Sequence, residues 1–158
     1  MLKSLIYGIA ALALLPVAAA AEVNVTYSDD FAEELTDNYG EKEGVYLTKE
    51  IQEDLTAAFA KIGVNPIRVD VVIIDAKPNR PTFEQMSSRP GLDPFRSRSI
   101  GGMELQATAY DADGAVIGSH EYGWFENDIR DVVGSSTWTD AKRASNRFSR
   151  KFAQSLSN

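Results

Sequence analysis

Ser119-His120-Glu121 holds the three side-chain types of a nucleophilic triad in adjacent positions. A proton relay needs those groups to converge, and the alternating run around them predicts a strand. Ser119 and Glu121 then point to one face and His120 to the other, so they pass no proton among themselves. His120 is the only histidine, and there is no cysteine. Imidazole-based and thiolate metal sites, a thiol nucleophile, disulfides and cysteine lipidation therefore have little or no material. Asp111 and Asp113 are calcium-ligand types, but the full D-x-D-x-D-G run with a downstream glutamate is missing. They read as turn formers. No phosphate-binding loop, dinucleotide fingerprint or G-x-S-x-G elbow occurs, and Gly101-Gly102 reads as a strand start or bulge pair. The 23 Asp and Glu residues supply material for a glycosidase-type carboxylate pair, yet nothing singles one out. The expectation is a non-catalytic protein with no metal and no cofactor.

The residues best suited to binding lie in one long connection, Ala76 to Gly102. It carries four prolines (78, 81, 90 and 94) and four arginines (80, 89, 96 and 98). Connections of this length in small domains are usually functional or disordered. In the binding reading, Arg80, Arg89, Arg96 and Arg98 grip carboxylates or phosphates through their planar guanidinium groups, with Phe83, Leu92 and Phe95 as anchors. In the structural reading, the loop is a flap whose aromatics cover the open face of a sheet while the arginines stay solvated. The four prolines speak against regular structure within it.

The elements around this loop follow from periodicity. Val23–Tyr27 alternates like a strand. Ser28 can cap a short helix carrying Phe31, Leu35 and Tyr39 up to Gly40. Leu47, Ile51, Leu55, Ala58, Phe59 and Ile62 form one stripe of a second helix, stopped by Gly63. Ile67–Asp75 is β-branched and becomes apolar on both faces, which predicts a central strand. Met103–Tyr110 and Ala115–Phe125 flank Asp111-Ala112-Asp113-Gly114, a hairpin signal. Thr137 and Asp140 have capping-box spacing, and the helix behind them presents Trp138, Ala141, Ala144, Phe148, Phe152 and Leu156. The order predicts an α+β fold: a two-layer α/β sandwich in β-α-β-β-β-α order, with a mainly antiparallel four-stranded sheet and helices on one face. The first strand is expected to pair parallel to the second. With the helices on one side, Val72, Ile74, Tyr122 and Trp124 are expected on the other, where the loop or a partner would cover them. Tyr122 and Trp124 thus join the loop arginines as candidate binding residues.

The chain has 158 residues and a formal charge of −7. Between Glu22 and Asp54, eleven acidic residues face only Lys42 and Lys49. From Asp140 onward, five basic residues face one acid. The acidic balance argues against a nucleic-acid partner. The basic last helix reads as a solvated face near the acidic segment, although such a face could also meet anionic lipid head groups. Met1-Leu2-Lys3, the apolar run Leu5 to Val17 and Ala18–Ala21 read as a signal peptide, 1–21, cleaved after Ala21 or one residue earlier. The run is short for a membrane span, so no stable membrane insertion is expected after cleavage. The single domain would then be 22–158, in the periplasm or secreted.

The element order, the exported leader and the Trp138-Thr139-Asp140-Ala141 helix start bring a resemblance. The chain resembles small exported bacterial envelope proteins of an uncharacterised domain family, many of them lipoproteins. It is similar in layout to small α/β modules of periplasmic envelope-assembly proteins, such as the N-terminal domain of the Tol translocation protein. The resemblance covers most of Val23 to Leu156 and implies contacts with a protein partner in the cell envelope or with the cell wall, not catalysis. Without a cysteine to acylate, this chain departs from the lipoprotein members, which implies a soluble form. No functional residue carries over. The leading expectation is a protein-interaction or envelope accessory module. The alternative is a binder of a small anionic ligand or cell-wall polymer through 76–102.

Overall fold

The β-branched run after Ile67 becomes β2 (Arg68–Lys77), an inner strand of a four-stranded sheet ordered β1-β2-β3-β4. In the computed structural model, which describes residues 20–132 and 136–158, β1 (Glu22–Tyr27) pairs parallel to β2. β3 (Gly102–Tyr110) and β4 (Val116–Phe125) continue the sheet antiparallel. Most of the leader, residues 1–19, lies outside the described residues. No helix among the described residues is long and apolar enough to cross a membrane.

Among the described residues, four α-helices accompany the strands. α1 (Asp29–Glu34) is capped by Ser28 and runs on into a π-helical turn, Leu35–Tyr39. α2 (Glu41–Ile62) ends at Gly63, whose φ of 81° is the left-handed stop that its position predicts. α3 (Phe83–Ser88) lies inside the long connection, and α4 (Thr139–Leu156) closes the chain. α2 and α4 pack side by side on one face, giving the two-layer α+β sandwich expected from the pattern. Val69, Val71 and Ile73 of β2 and Leu105, Ala107 and Ala109 of β3 meet them in the core, all at most 1% exposed. Phe148 and Phe152 of α4 are fully buried there, so truncating either to alanine is expected to cost about 3–5 kcal/mol.

The opposite face departs from expectation. Val72 and Ile74 lie there half-buried, but their neighbours are polar: Val72 stands beside Thr26 and Gln106, and Gln106 beside Glu121. Tyr122 and Trp124 are not on that face. Tyr122 pairs with buried Leu105 and Trp124 with buried Met103, which places both under α4. Alternation fixes which residues share a face within one strand, not which face of a neighbouring strand they join. His120 also faces α4, stacking on Phe152 at 6.2 Å between ring centroids. Ser119, on the other face, meets Thr108 at 3.2 Å.

The charge asymmetry has a local meaning. Lys142 of α4 pairs with Glu50 of α2 at 3.0 Å, and Ser145 donates to Asp54 at 2.7 Å. Partial burial pushes the Asp54 carboxyl above its ordinary range, while the Ser145 and Asn146 hydrogen bonds oppose the shift.

Candidate interaction surface

The long connection sits at the end of the sandwich where β1, β2 and β4 finish and α2 and α4 begin. It is not spread over the open sheet face. Its anchor is Asn79, fully buried. The Asn79 backbone N–H donates to Thr137 O at 2.7 Å, and its carbonyl accepts from Ser99 N at 3.0 Å. Its side-chain Oδ1 accepts from the Asp140 backbone N–H at 2.8 Å, while Nδ2 donates to the Asp140 carboxylate. Asp140, 1% exposed, also accepts from Arg143 at 2.9 Å. The expected capping box at Thr137 and Asp140 does not form. Trp138 occupies the N-cap position with no side-chain cap bond, and Asn79 satisfies an orphan amide of α4 from 61 residues away. Gly101 makes room for this lock, since a Cβ there would lie 2.6 Å from Asn79 Nδ2.

Within the connection the prolines bracket a helix. Thr82 and Gln85 form a reciprocal capping box at the start of α3, between Pro81 and Pro90. The Thr-x-x-Gln spacing is a local signal for it that the proline-based expectation of irregular structure does not take into account. Asp93 then organises a tight turn, accepting from the N–H groups of Phe95 at 2.8 Å and Arg96 at 2.7 Å.

The four loop arginines divide by role. Arg80 closes the connection on itself, donating to Phe95 O at 2.6 Å and Ser97 O at 3.3 Å. Arg89 docks on the π turn through Asn38 Oδ1 at 2.6 Å. Both are engaged in holding the loop. Arg96 and Arg98 are exposed, and no hydrogen bond or ion pair forms at either guanidinium among the described residues. The aromatics do not serve as a flap: Phe83 is 77% and Phe95 84% exposed. They flank a groove of about 470 Å³ shared with Arg80, Met86, Glu43 and Thr137. A second groove of similar size, which Phe83 also lines, is bounded by Tyr39, Gly40, Glu41 and Lys42.

Behind these grooves an aromatic series stiffens the frame. Tyr27, Phe31, Tyr39 and Trp138 follow one another at 5.9, 6.5 and 5.7 Å between centroids, and Trp138 Nε1 donates to Glu43 at 2.6 Å. Burial, then the charges of Glu34 and Asp75, push the Tyr39 phenol up to about 12, with Arg89 opposing. It stays protonated throughout the physiological range.

Tyr122 and Trp124 do not join the arginines of the loop. Lys151 Nζ sits 4.5 Å from the Tyr122 ring centroid, and the Arg147 guanidinium 4.2 Å from that of Trp124. Their faces are occupied by cations of α4. At the hairpin, Asp111 Oδ1 accepts from Asp113 N at 3.0 Å and Ala115 N at 2.9 Å, the turn role expected of it.

No family model matches the chain, and no curated protein matches it. Among solved structures it is similar to one described as a "putative lipoprotein" from Caulobacter crescentus. Identity is 15% and the TM-score 0.37, the match covering 85% of this chain and 87% of that chain.

Proposed function

We propose that this protein is a non-catalytic interaction module, exported to the cell envelope, that engages a protein partner with the loop end of its sandwich. The observation that carries the reading is the pairing of two highly exposed phenylalanines, Phe83 and Phe95, with a loop pinned through buried Asn79. Solvent-exposed aromatic side chains on a fixed frame supply contact area at low ordering cost, and such residues dominate many interfaces. Arg96 and Arg98 beside Phe95 add unpaired charge suited to acidic groups on the partner. The leader-like sequence and the resemblance to envelope proteins support the location.

The test is affinity capture of the tagged protein from its native envelope, run beside Phe83→Ala/Phe95→Ala. Loss of a captured protein with the folded variant supports the reading, and undiminished capture removes the loop end from it. The free guanidinium groups of Arg96 and Arg98 favour one second reading, binding of an anionic glycan or small anion. Titration with anionic cell-wall fragments, read by tryptophan fluorescence and repeated at high salt, separates it: a salt-sensitive response lost in Arg96→Ala/Arg98→Ala supports it.

A further inference from the structure

The two edges of the sheet are not equivalent. β1 is six residues long, and Gln52 donates to its Val23 carbonyl at 2.9 Å, occupying part of the edge. β4 is ten residues long and ends the sheet on the other side. Its one irregularity is the bulge at Ile117, where Tyr110 pairs with Val116 and Ala109 with Gly118. From Gly118 to Phe125 the strand is regular, with no proline or lysine, and Glu121 is its one charge. Among the described residues, no backbone hydrogen bond reaches Gly118–Phe125 from outside the β3–β4 ladder. An edge this long and unblocked is a template for another strand.

The flank of that edge is charged. α4 lies over β4, with Arg147 above Trp124, Lys151 above Tyr122 and Leu156 close to Gly118. Neither Arg147 nor Lys151 forms an ion pair with a carboxylate among the described residues. On the opposite face, Glu121 is exposed. These two features choose the occupant. A second copy added through its own β4 would continue the sheet and set two α4 helices side by side, at roughly 10 Å between axes. The uncompensated Arg147 and Lys151 of each would then confront one another. An added strand with carboxylates on its helix-side face would pair with both cations and keep like charge away from Glu121 on the other face.

We propose that the β4 edge is a strand-addition site for an extended acidic segment of a partner protein. Acidic side chains at every second position would lie under Arg147 and Lys151 beside Tyr122 and Trp124. This surface is separate from the loop end and does not depend on it. The probe is a synthetic peptide of alternating threonine and glutamate, with its threonine–lysine counterpart as control, and amide hydrogen exchange as the readout.

The glutamate peptide is expected to slow exchange of amides within Gly118–Phe125 and leave β1 unchanged. The lysine peptide is expected to do neither. Arg147→Glu/Lys151→Glu, checked for folding by circular dichroism, is expected to weaken binding by about tenfold or more. The milder Lys151→Gln, at an exposed position, is expected to weaken it less. Phe83→Ala/Phe95→Ala should bind the peptide as the parent does, which separates this site from the loop end. Absence of protection at β4, or equal protection by the lysine peptide, overturns the proposal. So does protection at β4 that grows with protein concentration without peptide, since that outcome means self-pairing.

Discussion

His120 and Asn79 show how one side chain takes its meaning from what packs around it. His120 stacks between α4 aromatics with its Nε2 buried and unpartnered. Desolvation, followed by the charge of Lys151, lowers its pKa from the ordinary value. The unfolded chain therefore binds the proton more readily, and His120 removes stability as the pH falls below about 6.5. His120→Phe keeps the stacking and deletes the orphan nitrogen. Thermal melts are expected to rise more at pH 5.5 than at pH 8, with a gain of about 1 kcal/mol or less at the higher pH. An unaltered pH dependence would place the titration elsewhere. Asn79 is the opposite case, a polar side chain whose partners are all present. Asn79→Ala leaves the Asp140 amide and carboxylate short of partners in a buried site. Denaturant unfolding should show a loss of about 2–3 kcal/mol. The histidine's structural role was legible from alternation and its solitude. The role of Asn79 was not, because its partners lie 61 residues away and no local spacing announces a cap supplied from another element.

At the scale of elements, local signals held where they were local. The Ser28 cap, the Gly63 stop, the Asp111–Gly114 turn and the β2 run all form where the sequence places them. The failures share a cause. Thr137 and Asp140 have capping-box spacing, yet Trp138 takes the N-cap position and Asn79 of the loop takes the Asp140 amide and carboxylate. Tyr122 and Trp124 match the alternation of a strand, yet the pairing with β3 turns them toward α4. α3 forms despite flanking prolines because Pro81 and Pro90 lie outside it and Thr82 caps it. Packing between elements is also what fixes Gly44, on the buried side of α2. A Cβ there would meet Leu35 Cδ1 at 2.8 Å and Tyr27 Oη at 2.9 Å, so an alanine there forces the Leu35 and Tyr27 side chains, packed between α2, β1 and the π turn, to shift. Gly44→Ala is expected to destabilise by about 1–3 kcal/mol despite its better helix propensity. The hydrogen bond between Tyr27 and Thr48 at 3.0 Å should weaken with it. A stabilised Gly44→Ala variant would show that the helix can withdraw without loss.

Across the whole molecule, the architecture was readable because hydrophobic period and strand order are written along the chain, while the contact surface depends on where the long connection between β2 and β3, residues 78–101, comes to rest. Of the seven candidate binding residues, Arg96, Arg98 and Phe95 stay exposed at the loop end. Arg80 and Arg89 hold the loop in place, and Tyr122 and Trp124 lie under α4. This division predicts different outcomes for the two arginine pairs. Arg96→Ala/Arg98→Ala should leave the melting temperature within about 1 °C, because exposed unpaired charges contribute little to folding. Arg80→Ala/Arg89→Ala should lower it and speed hydrogen exchange across 89–99.

The most direct measurement sets capture against stability in one series: parent, Phe83→Ala/Phe95→Ala, and Asn79→Ala, each assayed for envelope partner recovery and thermal melting. A contact surface at the loop end predicts that the phenylalanine variant melts like the parent and recovers no partner. Asn79→Ala should lose both stability and recovery, since it frees the frame that presents those side chains. Full recovery by a folded Phe83→Ala/Phe95→Ala protein would contradict the central claim.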